Sequence, residues 1–233
     1  MEKRQPPVRY VILFPGRAGS TYLTDHMGNH PGIIANYEIL SQYQQSWEQQ
    51  KAFLDEMVVT KRNPRVVAIG LKTKVRDVLN WKQFSSYLQQ HEFKVIHLTR
   101  TNQLKLVVSV VRAELLRQEY GASNLIRDQY NEIGPTTIPL ERFERARKRI
   151  RRQRMLGRRV KQLQLPTLEI TYEGLLGNER AVLNQVWDFL TVPKIQTTGR
   201  TRKNTPQDLR SAVLNLDEIL QHYPEMASFV DQA

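Results

Sequence analysis

The sequence predicts a three-layer α/β/α domain around a central parallel sheet. Two observations carry that expectation. Short apolar runs near residues 9–14, 66–71, 94–99 and 167–171 alternate with amphipathic stretches of helical period. The first run, Tyr10-Val11-Ile12-Leu13-Phe14, breaks at Pro15-Gly16 and passes through Arg17-Ala18-Gly19 into the helical pattern opened by Ser20-Thr21. A strand that turns through glycines into a helix N-terminus presents unpaired N–H groups and the positive end of a dipole, which is an anion site.

Within that site the residue types have separate uses. Gly16 and Gly19 let the backbone approach an anion, Ser20 and Thr21 cap the helix or bind an oxygen, and Arg17 supplies a planar cationic fork. The loop departs from the Walker A pattern, because Ser20 follows Gly19 with no lysine between. An ordinary capped strand–turn–helix is the plainer alternative.

Composition bounds the rest. The chain has 233 residues, 35 Lys plus Arg against 23 Asp plus Glu, a net charge of +12 and no cysteine. One domain with a real core is expected, with an anionic ligand, nucleic acid or membrane surface as the natural partner. Disulfides, thiolate chemistry and cysteine-bound zinc are excluded. No apolar run precedes the first strand and none reaches membrane-spanning length, which points to a cytoplasmic protein. Residues 1–7 are expected to be a flexible tail and 8–233 a single domain.

In chain order, a helix from Ser20 to about Asn29 stops at His30-Pro31-Gly32, and Ile33-Ile34-Ala35 forms a short strand delivering Asn36-Tyr37-Glu38. Residues 46–60 are helical, with Trp47, Phe53, Leu54, Met57 and Val58 inward. The strand at 65–71 ends in Lys72-Thr73-Lys74. Ligands collect at such strand ends; the two lysines are expected on opposite faces, so that only one reaches the site. Trp81, Phe84, Tyr87 and Leu88 mark a helix over about 77–90.

The strand at 93–99 ends at Arg100. Thr101-Asn102 caps a helix to about Tyr120, with Ser109 nine residues beyond Arg100, and the two can jointly hold a second anion. Residues 121–140 form an irregular stretch, expected to be an acceptor-site loop. A basic helix over 141–164 has a thin apolar stripe of Phe143, Ala146, Ile150, Gly157 and Val160, and is expected to end at Pro166. A strand over 167–172, a helix over 178–190, a basic loop with Arg200, Arg202 and Lys203, and a final helix from near Pro206 complete the chain.

Four segments together resemble one family, the sulfotransferases that use 3′-phosphoadenosine-5′-phosphosulfate (PAPS). PGRAGSTYL resembles the family's 5′-phosphosulfate loop, and LTRTNQLKLVVSVVRAE its 3′-phosphate motif. ITYEGLLGNERAVLNQVWDFLTV resembles its TYExLL…FLGV segment, and RKNTPQDLRSAVLNLDEI its C-terminal tail. HPGIIANYEIL is similar to the bacterial carbohydrate branch, which includes Nod-factor and trehalose sulfotransferases. There a glutamate after the first helix is the base, and Glu38 matches it. The animal cytosolic branch instead uses a histidine in a Lys-Thr-His stretch, which reads Lys72-Thr73-Lys74 here. Two departures stand out: Arg100 and Ser109 are nine apart where many members have eight, and Tyr37-Glu38 replaces Gly-Glu.

The resemblance implies the P-loop-nucleotide-kinase-like sulfotransferase fold and in-line sulfuryl transfer from PAPS to a hydroxyl or amine. The acceptor would be a carbohydrate, glycolipid or small natural product, and the by-product adenosine 3′,5′-bisphosphate (PAP). Glu38, Arg17 and Lys72 would be catalytic. Arg17, Ala18, Gly19, Ser20, Thr21, Arg100 and Ser109, with Arg202 and Lys203, would bind the donor. No metal and no nucleic acid are expected; a peripheral membrane contact and a homodimer are compatible with the sequence. A P-loop kinase or NTPase would need a loop lysine and a Mg²⁺-binding aspartate, and a nucleic-acid-binding protein would leave the loop and the Arg100–Ser109 pair unused.

Overall fold

The computed structural model describes residues 6–59, 65–121, 125–126, 134–202 and 208–232. Its centre is a five-stranded, wholly parallel sheet in the order β2-β3-β1-β4-β6. The strands are β1 Val8–Leu13, β2 Ile33–Asn36, β3 Ala68–Thr73, β4 Lys94–Thr99 and β6 Thr167–Thr171. Such a sheet needs cover on both faces, and β1 shows how the sequence provides it. Tyr10, Ile12 and Phe14 face one layer with Leu23, Met27, Val186 and Trp187; Val11 and Leu13 face the other with Leu54, Met57, Phe84 and Leu88. The two-residue alternation thus fills two apolar layers from one strand.

The cover consists of α1 Ser20–Gly28 and α7 Glu179–Leu190 on the first face, and α2 Trp47–Val59 and α3 Trp81–Gln90 on the second. At Gly70 a Cβ would stand 2.1 Å from the Tyr10 carbonyl oxygen, so the close packing of β3 on β1 admits only glycine there. A third apolar cluster joins α4 Gln103–Tyr120, α5 Leu140–Gly157 and the C-terminal segment with α8 Leu216–His222. A small antiparallel pair, β5 Leu125–Ile126 with β7 Thr201–Arg202, lies apart from the main sheet. No described helix is long and apolar enough to cross a membrane.

Several boundaries differ from the sequence-based expectation. The basic helix stops at Gly157, not Pro166: a 3-10 turn at Val160–Gln162 follows and turns Val160 and Leu163 into the second apolar layer before β6. The strand ends at Thr171, because the Thr171 hydroxyl accepts from Gly174 N at 3.0 Å and caps a short helix, α6 Tyr172–Gly177. α3 begins at Trp81, capped by Asn80, after a 3-10 turn at Val75–Asp77. The final α-helix among the described residues is α8, with Asp208 before it rather than in its first turn, and a 3-10 helix at Pro224–Phe229 follows. Asn215, at the start of α8, accepts from Ile138 N and donates to Ile138 O, both at 2.9 Å, tying it to the segment before α5. Of the expected acceptor loop, residues 122–124 and 127–133 lie outside the described residues.

Candidate active site

All five parallel strands end on one side, and the β1–α1 loop sits at the middle of that edge. Two residues of the loop adopt left-handed backbone, Arg17 (φ 67°) and Gly19 (φ 81°). Gly19 is the N-cap of α1, and a Cβ on it would fall 2.4 Å from the Tyr172 ring. Glycine is therefore needed for both conformation and room. No side chain caps α1, so neither Ser20 nor Thr21 takes the capping role. Gly16 N donates to Gln153 Oε1 of α5 at 2.9 Å. Ala18 buries its methyl in the core, leaving its backbone to the site.

Thr21 instead meets Lys72, whose ammonium donates to Thr21 Oγ1 at 2.7 Å. Lys72 is only 2 % exposed. Its Nζ lies 3.7 Å from Glu38 Oε1 and 4.8 Å from the centre of the Tyr37 ring. Burial pushes it down to about 7, partly opposed by Asp25 and reinforced by Arg17. Lys74 ion-pairs with the other Glu38 oxygen and with Asp77 at 3.6 Å. Burial lowers it as well.

Both lysines therefore converge on Glu38, which corrects the expectation that only one would reach the site. Residues two apart share one face of a strand, and both ammonium groups also sit over the Phe14 ring. Glu38 itself occupies the turn after β2, where the Ser41 hydroxyl donates to its carbonyl at 2.6 Å.

Arg100 stands at the end of β4 and reaches back to the loop. Its Nη1 donates to Arg17 O at 3.2 Å, and Arg17 Nε donates to Ser109 Oγ at 3.2 Å, so loop, strand end and helix α4 form one connected chain. The Arg100 guanidinium lies 4.4 Å over the Tyr172 ring. Its buried Nε makes no hydrogen bond, with Glu173 Oε1 at 3.9 Å. Glu173 is occupied elsewhere: its carboxylate accepts from Thr101 N and Asn102 N, each at 3.0 Å. Asn102 caps α4, as expected of the Thr101-Asn102 pair, accepting from Lys105 N at 2.8 Å. Burial lowers both arginines, Arg17 to about 10 with Arg100 adding repulsion, Arg100 against the pull of Tyr172 and Glu173. Closely packed buried cations with an unsatisfied donor form a site that an anion would complete.

These groups line a cavity of about 570 Å³ that includes Arg17, Gly19–Tyr22, Glu38, Arg100, Ser109 and Tyr172. One wall is Thr201. Buried Asp25 on α1 accepts from Arg200 N at 3.2 Å, Thr201 N at 3.1 Å and the Thr201 hydroxyl at 2.9 Å, pinning the basic loop beside α1. Tyr37 donates to the other oxygen of Asp25, and burial with that carboxylate raises the phenol to about 12. Arg202 has its backbone in β7, adjacent to Thr201; Lys203 lies outside the described residues. Tyr172, Asp25 and Gln153 were not singled out from the sequence. Tyr172 could have been, since it sits inside the TYE segment that carried the resemblance; Asp25 and Gln153 carry no local signal.

No family model matches the chain. Nodulation protein H of Rhizobium meliloti (strain 1021) is 24% identical over 234 residues, covering 94% of this chain and 92% of the relative. Nodulation protein H of Rhizobium tropici is 26% identical over 231 residues, covering 93% and 90%. Among solved structures, a sulfotransferase from Alicyclobacillus acidocaldarius superposes with a TM-score of 0.52 at 14% identity, covering 98% of this chain and 95% of that one. A mouse sulfotransferase complexed with PAP gives 0.50 at 16% identity, covering 81% of this chain and 61% of that one. The chain is a sequence relative of these nodulation proteins and has the sulfotransferase fold.

Proposed function

We propose that this chain, built on the sulfotransferase fold, is an enzyme that moves a sulfuryl group from PAPS to a hydroxyl or amine of a carbohydrate or other small acceptor. One observation carries the reading: Arg100 at the end of β4, Arg17 in the loop and Ser109 on α4 are joined through hydrogen bonds of 3.2 Å, and the buried Nε of Arg100 lacks an acceptor. A donor with phosphate at both ends of a nucleoside would set one phosphate against Arg100 and Ser109 and the other against Arg17 and the loop N–H groups.

In this mechanism the acceptor oxygen attacks sulfur. The bond from sulfur to the bridging oxygen of the phosphosulfate breaks, and its electron pair stays on the 5′-phosphate. Arg17, Lys72 and the N–H groups opening α1 meet the charge that grows on that oxygen and on the sulfuryl group. Lys72 reaches this point from beside Thr21, on the first turn of α1. Glu38 takes the acceptor proton, while Lys72 and Lys74 fix its carboxylate at the strand edge. Arg100 and Ser109 hold the 3′-phosphate, with Arg202 and Lys203 as further contacts. Catalysis by positioning and fixed charge of this kind calls for no metal ion, so EDTA is expected to leave the rate unchanged.

The test is a screen of sugar and small-molecule acceptors with isotopically labelled PAPS, read as label in the acceptor and PAP released. Transfer by the wild type and its collapse in Glu38→Gln support the proposal. Label that never leaves PAPS, with ATP–Mg²⁺ consumed instead, would sink it.

A further inference from the structure

A second cavity, of about 840 Å³, opens beside the donor cavity and shares Phe14, Lys74, Arg76, Arg100 and Gln153 with it. Its walls are the ends of β3 and β4, the start of α4 and the inner side of α5. The floor is apolar, made by Leu106, Val107, Ile150, Val160 and Met226, all buried. The rim is strongly basic. Cations near the shared wall already have carboxylates: Lys74 has Glu38 and Asp77, Arg76 has Asp77 at 3.4 Å, and Arg147 has Glu144 and Glu225 at 2.8 and 3.2 Å. Farther along α5 and the following turn, Arg151, Arg154, Arg158 and Lys161 line the same cavity and have no ion pair among the described residues. Glu225 is the one acidic residue in the lining.

We infer that the acceptor of this chain is anionic: an oligosaccharide-sized molecule carrying phosphate, sulfate or carboxylate groups. It sits in this cavity with its anionic groups against Arg151, Arg154, Arg158 and Lys161 and its reacting hydroxyl toward Lys74 and Glu38. The inference rests on the transfer reaction proposed above and specifies its acceptor. The donor does not account for these side chains, since Arg17, Ser20, Thr21 and Ser109 line only the other cavity and Arg100 stands at the wall between the two. A cavity of this size with an apolar floor fits a molecule of ligand size better than a nucleic-acid backbone, which calls for phosphate contacts rather than buried apolar surface. A sugar ring would lie on the floor while its charges meet the rim.

Calorimetric titration of the PAP-loaded protein tests the inference with three probes: maltohexaose, phosphorylated maltohexaose and hexagalacturonate. Binding of either anionic hexamer in preference to neutral maltohexaose supports it, and the two anionic arms distinguish phosphate from carboxylate recognition. Arg151→Glu/Arg154→Glu/Arg158→Glu should weaken the anionic hexamer by roughly tenfold or more while PAP binds as before. If that variant misfolds, Arg151→Gln/Arg154→Gln should give a smaller loss in the same direction. Equal binding of all three hexamers, no binding of any, or a labelled DNA duplex that binds more tightly than the anionic hexamers and is released by the charge reversal would each overturn it. Failure of PAP itself to bind would be visible in the loading step and would count against the transfer reaction, separately from the acceptor.

Discussion

The proposed donor cradle and the basic helix α5 both carry arginine, and they are built on opposite plans. In the cradle the cations are buried or half-buried and locked to neighbours: Lys72 on Thr21, half-buried Arg17 on Ser109, Arg100 on the Arg17 carbonyl and the Tyr172 ring. On α5 the outer arginines are exposed, and several have no carboxylate within ion-pair distance among the described residues. A buried cation costs desolvation and is retained where it meets an anion in one geometry; an exposed one costs little and tolerates many. The cradle thus suits a fixed nucleotide donor, and the helix a variable acceptor or long-range steering.

Substitutions can break this contrast, and the largest effects belong to the cradle. Glu38→Gln should lower kcat by about 10²–10⁴-fold with PAP affinity nearly intact, by steady-state kinetics and calorimetry; a large loss of PAP affinity would instead make Glu38 a donor-binding residue. Arg17→Ala should cost about 10²–10³ in kcat, the scale of removing one preorganised donor from developing charge. Arg100→Ala should weaken PAP by about 1.5–3 kcal/mol, measured by titration.

The pH dependence is a subtler probe. In the free protein Lys72 titrates at about 7, because it is buried. A bound anion favours its protonated form, so PAP binding takes up a proton above that pH. PAP affinity should therefore fall as pH rises from about 7, by at most about tenfold per pH unit for one proton, and Lys72→Met should flatten the profile. The smallest effect belongs to the helix: Arg151→Ala should change unfolding free energy by no more than about 0.5 kcal/mol, read by urea denaturation.

The legible parts of the molecule are those whose signals are local. The strand–loop–helix around Arg17 and the cap at Asn102 each lie within one short stretch and appear where the sequence puts them, while Arg100 and Ser109 are linked only through Arg17. Lys72 and Lys74 depart from the expected opposite faces because residues two apart along a strand share one face. The end of α5 departs from the continuing basic pattern because Val160 and Leu163 are needed beneath the sheet and a 3-10 turn brings them there. The C-terminal segment gives little warning: α8 is only seven residues long, and Asn215 positions it through Ile138, 77 residues away. Tyr172 against Gly19 and Asp25 against Thr201 are long-range contacts of the same kind, absent from any local pattern.

Donor recognition by the cradle is measured most directly by PAP titration of the purified protein with and without EDTA. The expected result is saturable PAP binding, unchanged by EDTA, weaker in Arg100→Ala and stronger than binding of ATP–Mg²⁺. An absence of PAP binding, or tighter binding of ATP–Mg²⁺ that Arg100→Ala leaves untouched, would contradict it.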